Sequence, residues 1–407
     1  MKNYNKKICV IGLGYIGLPT AALLASKGNK IIGVDINQKT VDIINSGGVH
    51  IVEPGLDQFV SNAISSGLLR AHIKPKVADI YIICVPTPFN TSKGDPIPNL
   101  DYVIEAANSI IALVKPGDMI ILESTSPVGT TKKLEELLLK NNVDINEIAI
   151  AYCPERVLPG NIMSELVLND RIVGGINKFS TDKVAGFYEN FIDGEVLKCS
   201  ASAAEMCKLA ENSYRDVNIA FANEISMICN THKIDAWELI SLANRHPRVN
   251  ILQPSTGVGG HCIAVDPWFI VSGDPANACI IKTARQVNNR KPEWVTKMIM
   301  DRVNILIENG IKNPSVSCLG LAFKPDIDDL RESPAVIVVD KLIQSGLDVK
   351  VVEPNISYHQ QYSLVKFEDG LKSDLVVVLV KHKEFYSIGN KEELNNINAL
   401  DFCGVMN

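Results

Sequence analysis

The sequence predicts an α/β protein in which two doubly wound domains are joined by a central helical region. Two observations predict this fold. Short apolar runs alternate with helical stretches at both ends of the 407-residue chain, whereas the middle is helical and lacks such runs. Apolar runs that alternate with helices are typical of parallel sheets with helices on both faces. We expect the domains to span residues 1–200, 201–310 and 315–407.

Short apolar runs bounded by glycine or proline predict the strands. In the first domain they read KICVIG, KIIGVD, DIYIICVP, MIILEST and EIAIAYCPE. Runs this short fit strands that are buried on both faces of a parallel sheet. The same texture returns after the connector IKNPS, in SVSCLGLAF, DVKVVEP and SDLVVVLV. The third domain is therefore a second, smaller α/β domain.

The central region predicts long helices. In SAAEMCKLAENSYRDVNIAFANEISMIC, Ser202 and Glu205 have the spacing of a capping box. An apolar stripe follows, formed by Val217, Phe221, Ile225 and Ile228. A further helical stretch, ARQVNNRKPEWVTKMIMDRVNILIENG, ends at Gly310. A long apolar helix of this kind also predicts a homodimer at least.

Charge and composition exclude several classes of function. The formal net charge of -6 at pH 7 argues against nucleic-acid binding but allows a local anion site. No membrane span is expected, because no run of about 18 apolar residues is present. Glycines interrupt the first apolar run, which argues against an export signal. The 10 cysteines form no CxxC pair, so we expect reduced thiols in the cytoplasm and no metal site.

The first strand leads into a glycine motif of the kind that binds dinucleotides. In ICVIGLGYIGLP, the motif glycines are Gly12, Gly14 and Gly17. The first permits a tight turn, the second lets the backbone approach a pyrophosphate, and the third lets helix and strand pack closely. The next strand ends in Asp35, whose carboxylate suits ribose hydroxyls and repels a 2′-phosphate, so NAD is favoured over NADP. Both α/β domains are therefore predicted to be Rossmann-like.

Further polar residues are candidates for a site, each with a plain structural alternative. Thr87 in CVPTP and Thr125 in LESTSPVGT follow later strands, where ligand-binding loops lie, although both could be ordinary turns. Lys208, Asn212 and Arg215 share one helix face by their spacing of i, i+4 and i+7. The alternative for this face is simple solvation.

Two basic segments are candidates for binding an anion. The loop ANRHPRVN supplies Arg245, His246 and Arg248, either as an anion clamp or as a basic surface loop. The segment LGLAFKPDIDDLRESPA carries Lys324 and Arg331 after a strand of the third domain. It could equally be the capped start of a helix.

The segment GVGGHCIAVD has one cysteine on glycine-rich backbone. It places Cys262 after three glycines and Asp266 four residues beyond the cysteine. Glycine has no side chain to pack and is costly to order, so such a run does not build a core. The segment is either a turn that happens to contain cysteine or a site where ligands approach a thiol.

Together these segments resemble the UDP-glucose/GDP-mannose dehydrogenase superfamily. The resemblance runs in one order to residue 355 and is carried by VIGLGYIGLPTAA, GVDIN, HIVEP, VPTPF, ILESTSPVGTT, AYCPERVLPG, AEMCKLAENSYRDVNIAFANE, LANRHPRVNILQP, GVGGHCIAVDPWFIV and GLAFKPDIDDLRESPA. It implies an enzyme that converts the primary alcohol of a UDP-sugar to a carboxylate, with two NAD and one water.

The resemblance implies a role for each matching residue. Cys262 falls at the catalytic nucleophile and Lys208, with its polar partner Asn212, at the catalytic lysine. The remaining catalytic positions are Asp266, which assists proton transfer, and Glu155 and Thr125, near the reacting carbon and its water. Implied substrate contacts are Arg156, Val157, Lys208, Asn212, Arg215, His246, Arg248, Gly259, Phe323 and Lys324. Implied cofactor contacts are Gly12, Gly14, Tyr15, Ile16, Gly17, Asp35, Thr87, Thr125 and Arg331.

The chain departs from the glucose-specific pattern near the sugar. Pro159 and Gly160 stand where that pattern has a second glutamate, and Val265 replaces a lysine. Both changes agree with the mannosaminuronate-forming branch of the superfamily; UDP-N-acetylglucosamine and UDP-glucose are the alternative substrates. Cys403 stands where that branch tends to have a lysine.

Two other classes of function compete with this one. A two-electron dehydrogenase that stops at a ketone would leave Cys262 and the third domain without a role. An NAD-sensing module would have no use for the intact set of lysine, asparagine, cysteine and aspartate. The amount of NADH formed per nucleotide sugar separates the three.

Overall fold

The structure divides the chain into two compact units. It is a computed structural model that describes residues 6–90, 94–158, 160–260 and 262–407, excluding the side chains of residues 388–390. The units are Met1–Ala210 with Trp268–Gly273, and Glu211–Pro267 with Asp274–Asn407. Each has its own sheet and its own hydrophobic clusters. The predicted α/β class is confirmed.

A mostly parallel, eight-stranded sheet forms the centre of the first unit. The strands of this unit are β1 (Lys7–Ile11), β2 (Lys30–Val34), β3 (Leu69–His72), β4 (Ile80–Ile83), β5 (Phe89–Asn90), β6 (Ile97–Pro98), β7 (Met119–Leu122), β8 (Ala149–Tyr152), β9 (Arg171–Gly175) and β10 (Val196–Ser200). The sheet order is β10-β9-β8-β7-β4-β1-β2-β3, in which β8 and β9 pair antiparallel. The strands β5 and β6 pair separately. The carboxyl ends of β1, β2, β4, β7 and β8 thus meet at one edge.

Helices complete the first unit. They are α1 (Gly17–Ser26), α2 (Gln38–Asn45), α3 (Leu56–Ser65), α4 (Asp101–Ile110), a 3₁₀ turn (Ile111–Leu113), α5 (Thr130–Lys140), α6 (Ile162–Leu168) and α7 (Lys178–Tyr188). Ile8 and Val10 of β1 lie in one hydrophobic cluster, whereas Cys9 and Ile11 lie in another. Successive residues of a strand point to opposite faces, so both faces of β1 are buried. This explains why its sequence is apolar throughout.

The central part of the chain forms four helices: α8 (Ala201–His232), α9 (Ala236–Ala243), α10 (Asp266–Gly273) and α11 (Cys279–Glu308). The capping box expected for α8 is wrong. The helix is capped two residues earlier, by Ser200, whose hydroxyl oxygen accepts from the Ala203 N–H at 3.2 Å. Glu205 instead accepts from the N–H groups of Gly129 and Thr131 at 2.6 and 2.7 Å. A carboxylate stabilises the N-terminus of α5 there.

The apolar stripe predicted for α8 is divided: Val217 packs partly buried against a hydrophobic cluster with α11, whereas two other members lie at the surface. Phe221 and Ile228 are 50% and 48% exposed. The buried face of α8 in the second unit is small and polar instead, with Asp216 and Asn223 fully buried. As predicted, α11 ends just before Gly310, which has a φ of 99°. Among the described helices, none has the length and apolar character that a membrane span requires.

The second unit ends in a four-stranded parallel sheet. Its strands are β11 (Ser315–Leu319), β12 (Asp348–Val352), β13 (Leu375–Val378) and β14 (Ala399–Asp401), in the order β12-β11-β13-β14. The accompanying helices are α12 (Pro334–Gln344), α13 (Phe367–Gly370), a 3₁₀ turn (Lys383–Tyr386) and α14 (Ile388–Asn395). Ser333 caps α12 by accepting from the Ala335 N–H. Val295, Ile299 and Val303 of α11 pack into the core of this sheet.

Candidate functional site

The glycine turn joins β1 to α1. A Cβ at Gly12, where φ is 91°, would lie 2.6 Å from the carbonyl oxygen of Cys84. A Cβ at Gly17 would lie 1.7 Å from the carbonyl oxygen of Gly12. No atom lies within 4 Å of a Cβ built on Gly14, so this position faces open space. The turn therefore has the tight backbone and the open central glycine that a pyrophosphate requires.

Asp35 is bound to the glycine turn. One carboxylate oxygen accepts from the Leu13 N–H at 3.1 Å, and the other accepts from the Asn37 N–H at 2.9 Å. Tyr15 packs partly buried against the core, and Ile16 directly precedes α1. The structure thus brings the predicted carboxylate to the predicted turn. Together they fit a dinucleotide whose ribose meets Asp35 and whose phosphates meet the turn.

Thr87 and Thr125 meet at the carboxyl edge of the sheet. They follow β4 and β7, which are neighbouring strands. The Thr87 hydroxyl donates to the carbonyl oxygen of Thr125 at 2.6 Å. The loops that follow these two strands are therefore fastened to each other.

Glu155 follows β8 and is paired below the surface. Its carboxylate contacts the Arg171 guanidinium at 2.5 Å, and both side chains are nearly fully buried. The other oxygen accepts from the Arg156 N–H at 2.6 Å. The carboxylate thus has a fixed orientation and a compensating charge.

Two further buried residues in this region, Glu123 and Tyr188, were missed by the sequence analysis. Tyr188 donates its hydroxyl to Glu123 at 2.6 Å, and the Cys84 thiol donates to the other Glu123 oxygen at 3.3 Å. Burial raises the pKa of Glu123, although the charge of Arg171 opposes the shift. A glutamate at the end of an apolar run, as in MIILEST, is the signal that could have revealed it.

Arg156 and Val157 contact the protein itself. The Arg156 guanidinium donates to the carbonyl oxygen of Asp170 at 3.3 Å, and Val157 packs against the core. Gly160 donates its N–H to Glu53, which is 7% exposed, at 2.8 Å. The departure at Pro159 lies outside the described residues.

Cys262 is exposed and lies on a closely packed glycine loop. A Cβ at Gly259 would lie 2.4 Å from the Glu332 carbonyl oxygen and 2.8 Å from the Phe323 Cβ. Gly260 donates its N–H to the Arg331 carbonyl oxygen at 3.3 Å. These glycines are therefore required where the loop packs against the segment that follows β11. Approach of a ligand to the thiol does not by itself account for them.

Asn212 and Asp266 form a buried contact beside this loop. The amide of Asn212 donates to a carboxylate oxygen of Asp266 at 2.5 Å. Both side chains are buried, at 6% and 3% exposure. Lys208, one turn before Asn212 on α8, is also buried. The alternative that this helix face is simply solvated is wrong for Lys208 and Asn212, which are buried. It holds for Arg215, which is exposed.

The basic substrate candidates of the second unit are exposed. Arg215, Arg248 and Lys324 form no side-chain ion pair or hydrogen bond with any described residue. His246 accepts from the Arg248 N–H through Nδ1 at 3.3 Å. Arg331 differs, because it pairs with both carboxylate oxygens of Asp329. Three cations are thus free to bind an anionic ligand.

The family follows from three matches along the chain. Residues 6–192 match the NAD binding domain of the UDP-glucose/GDP-mannose dehydrogenase family, residues 202–290 its central domain, and residues 317–405 its UDP binding domain. The chain belongs to this family. It is an NAD-dependent dehydrogenase of UDP-sugars, and the resemblance drawn from the motifs is confirmed.

Several relatives of this dehydrogenase are named for N-acetylated amino sugars or their uronic acids. The UDP-N-acetyl-D-mannosamine dehydrogenase of Campylobacter jejuni is 52% identical, over 99% of this chain and 100% of its own. The NDP-N-acetyl-D-galactosaminuronic acid dehydrogenase of Ralstonia nicotianae is 51% identical, over 93% of this chain and 92% of its own. The solved UDP-N-acetyl-mannosamine dehydrogenase of Staphylococcus aureus is 39% identical, with a TM-score of 0.88 over 98% of this chain and 95% of its own.

In the UDP binding domain of this dehydrogenase, Glu353 and His382 hold the segment that carries Phe323 and Lys324. Glu353 accepts from the N–H groups of Leu321 and Ala322, at 2.7 and 3.0 Å. The Asp326 N–H donates to Nδ1 of His382 at 2.9 Å, so the proton on the ring lies on Nε2, 3.1 Å from Glu353. Burial would raise the pKa of Glu353, but the hydrogen bond from His382 helps lower it to about 2.

Cys403, at the position where the resemblance implied a lysine, is buried in the same domain. Its thiol donates to the Leu379 carbonyl oxygen at 2.9 Å, and the Thr256 hydroxyl donates to the same oxygen at 2.6 Å. Burial raises the pKa of Cys403 to about 12. The residue therefore supplies packing and no positive charge. In the described part of the chain, no three His, Cys, Asp or Glu side chains are grouped as metal ligands.

Proposed function

We propose that this dehydrogenase oxidises the primary alcohol of UDP-N-acetyl-D-mannosamine to the carboxylate, giving UDP-N-acetyl-D-mannosaminuronate for surface polysaccharide synthesis. The observation that carries the proposal is the 52% identity, over 99% of this chain, with a relative of that activity. The exposed Cys262 supports it, because a four-electron oxidation needs a nucleophile that a two-electron oxidation lacks.

Cys262 is the nucleophile of the proposed reaction. The first hydride loss converts the alcohol to an aldehyde, and the thiolate then adds to the aldehyde carbon to form a thiohemiacetal. A second hydride loss gives a thioester, which water cleaves to the carboxylate and the free thiol. The net reaction consumes one alcohol, two NAD and one water, and yields one carboxylate, two NADH and three protons.

The other catalytic residues handle protons and developing charge. Lys208 takes the hydroxyl proton or stabilises the oxyanion, with Asn212 as its polar partner. Asp266 assists proton transfer, and the 2.5 Å contact from Asn212 supports a fixed orientation of its carboxylate. Glu155 and Thr125 orient the reacting carbon and its water. The contacts with Arg171 and with the Arg156 N–H support a fixed orientation of the Glu155 carboxylate.

NAD, when bound, supplies the hydride acceptor. The residues proposed to hold it are Gly12, Gly14, Tyr15, Ile16, Gly17, Asp35, Thr87, Thr125 and Arg331. The open space at Gly14 and the placement of Asp35 against the turn support this set. Asp35 also favours NAD over NADP, because its carboxylate repels a 2′-phosphate.

The UDP-sugar is held by basic and apolar residues. The proposed set is Arg156, Val157, Lys208, Asn212, Arg215, His246, Arg248, Gly259, Phe323 and Lys324. Support comes from the unpaired cations Arg215, Arg248 and Lys324, which suit a diphosphate. The contact of Phe323 with Gly259 and Gly260 supports a substrate loop that stays fixed to the cysteine loop.

The choice of sugar rests on the lack of charge near it. Val265 is buried and apolar, and the resemblance places it where the glucose-specific pattern has a lysine. Such a site suits an N-acetyl group, and both curated relatives above are named for N-acetylated sugars. The 51% identity with the Ralstonia relative makes UDP-N-acetyl-D-galactosamine the second candidate substrate.

A substrate panel tests the proposal. UDP-N-acetyl-D-mannosamine, UDP-N-acetylglucosamine, UDP-N-acetyl-D-galactosamine and UDP-glucose are compared by NADH formation. We expect kcat/KM for the first to exceed that for UDP-glucose by at least about 100-fold, or about 2.7 kcal/mol, which pocket fit can supply. Equal turnover of UDP-glucose would contradict the proposed substrate, and a preference for the galactosamine would replace it with the second candidate.

The enzyme is proposed to be a homodimer built on α8. Tyr214, Phe221 and Ile228 recur every seven residues and are 72%, 50% and 48% exposed. An apolar stripe of this spacing suits packing against a second helix. Phe221→Glu should produce a monomer by light scattering, whereas Tyr358→Glu, at an exposed tyrosine outside α8, should not. A monomeric native enzyme would contradict this assembly.

A cytoplasmic location is also proposed. All ten cysteines are free thiols, and free thiols persist in reducing compartments. Fractionation of the source cells should recover the protein and its activity with cytoplasmic markers. Recovery with exported proteins would contradict the proposal.

A further inference from the structure

A series of buried hydrogen bonds connects α8, α11 and the start of the cysteine loop. The Ser255 N–H donates to Asn223 at 2.9 Å, and the Asn223 amide donates to Asn288 at 2.9 Å. The Asn288 amide donates to the carboxylate of Asp216 at 2.8 Å. The three side chains on the helices are at most 1% exposed. Each donor in this series points toward the carboxylate of Asp216.

Arg285 connects the Asp216 end of this series to Ile263, the residue after Cys262. Its guanidinium contacts the carboxylate of Asp216 at 2.5 Å and is itself 1% exposed. The same nitrogen, Nη1, lies 3.5 Å from the carbonyl oxygen of Ile263. One network therefore touches the backbone on both sides of the cysteine, at Ser255 and at Ile263.

The network is not what helix packing alone would favour. Well-packed apolar side chains hold two helices together as well as a buried ion pair does. One carboxylate oxygen of Asp216 and Nε of Arg285 have no hydrogen-bond partner among the described residues. Buried polar atoms without partners cost stability. The arrangement thus has a cost that its contacts with the loop can explain.

We propose that Asn223, Asn288, Asp216 and Arg285 are positioning residues that fix the loop from Ser255 to Ile263 and thereby orient the thiol of Cys262. The proposal rests on the proposed function, in which Cys262 is the nucleophile. The amide orientations follow from the contacts. Asn223 accepts from a backbone N–H, so its nitrogen must face Asn288. The backbone is therefore held at Ser255 and at Ile263, on either side of Cys262.

Two variants and one matched control test the positioning role. Asn288→Leu removes the middle of the network, and Arg285→Lys keeps the charge but shortens the reach to Ile263. We expect each to lower kcat by about 10- to 100-fold and to change KM by less than about threefold. Lys291→Met is the control, because it breaks a buried contact between the same two helices, Lys291 to Ser226 at 2.6 Å. It leaves every side-chain hydrogen bond of the network in place and touches the network only at the Asn223 carbonyl oxygen, at 3.5 Å.

Alkylation by iodoacetamide separates orientation from mere stability. Cys262 and Cys279 are both exposed, so peptide mass spectrometry gives the rate at each thiol in the same sample. We expect both network variants to change the rate at Cys262 and to leave the rate at Cys279 as in the native enzyme. The control should change neither rate.

Three outcomes overturn the inference: unchanged kcat, a kcat loss without a changed Cys262 rate, or parallel changes at both cysteines. If Asn288→Leu does not fold, Arg285→Lys decides alone. Failure of the proposed function is recognised separately, because it would appear as no oxidation of any UDP-sugar by the native enzyme. The alkylation comparison does not depend on that result.

Discussion

Asn212 donates its side-chain amide to Asp266 over 2.5 Å, and both residues are buried beside the loop of Cys262. The two residues are 54 positions apart, on α8 and at the start of α10. A buried carboxylate that loses such a donor loses a hydrogen bond that holds its orientation. The orientation of Asp266 in the proposed reaction therefore depends on Asn212.

Replacement of Asn212 by aspartate should impair turnover. Asn212→Asp exchanges the donor for a second carboxylate, so the two acids repel each other. We expect kcat to fall by about 10- to 100-fold, measured with UDP-N-acetyl-D-mannosamine. The control is Asn218→Asp on the same helix, whose amide bonds an exposed backbone carbonyl. It should stay within about twofold, and equal losses in both variants would contradict the role of Asn212.

Loss of Arg171 should destabilise the first unit. Arg171→Met leaves Glu155 buried without its cation, which costs about 3–5 kcal/mol. It also removes a charge that lowers the pKa of Glu123, whose pKa burial already raises. A carboxyl group whose pKa is raised by folding binds more protons in the folded state than in the unfolded state. Stability therefore falls as the pH rises from the unfolded pKa to the folded pKa.

The deficit in melting temperature should therefore be larger at neutral pH than at weakly acidic pH. The control is Lys178→Met, which removes an ion pair with Asp182 that is largely exposed. Because solvent screens an exposed pair, its loss should lower the melting temperature only slightly. A deficit that is the same at both pH values, or no larger than the control's, would be evidence against the buried cluster.

The strands and the glycine turn could be predicted because their signals are local. Gly12, Gly14 and Gly17 lie within six residues, and the apolar run before them is a strand buried on both faces. Asp35 follows from the spacing of one further strand. These features require no knowledge of distant partners.

The polar interior could not be predicted, because its partners are distant in sequence. Glu205 bonds the start of α5 from 74 residues away, so its local spacing suggested a capping box instead. Arg285 and Asn288 lie in a polar part of the stretch predicted to be helical, and no role was predicted for either. Their spacing continues the buried positions Val295 and Ile299 of α11, and this periodicity is the signal that could have placed them inside.

Asp35 should control the choice of cofactor. Asp35→Ala removes the carboxylate that repels a 2′-phosphate, and also the acceptor for the Leu13 N–H. We expect weaker NAD binding and a smaller ratio of NAD to NADP affinity, measured by titration of each cofactor. A native enzyme that prefers NADP, or a variant with an unchanged ratio, would contradict this role.

Lys291 should make the free energy of unfolding depend on pH between about 7 and 10.5. Burial lowers its pKa to about 7 from the usual 10.5. Between these values the unfolded chain binds more protons than the folded one, so stability rises with pH by up to about 1.4 kcal/mol per unit. Lys291→Met removes the group, so the variant should melt higher at pH 7 and lose the slope. Calorimetry at several pH values checks this; an unchanged slope would show that Lys291 is not its source.

The number of NADH formed per sugar distinguishes a four-electron oxidation from a two-electron oxidation. UDP-N-acetyl-D-mannosamine is the limiting reagent with excess NAD, and NADH and the acid are counted per sugar consumed. We expect two NADH and one uronate per sugar from the native enzyme. Uronate should be lost in Cys262→Ala, whereas Cys279→Ala, at another exposed thiol, should still form both products. One NADH with a carbonyl product, no NADH, or full uronate formation by Cys262→Ala would contradict a four-electron oxidation through Cys262.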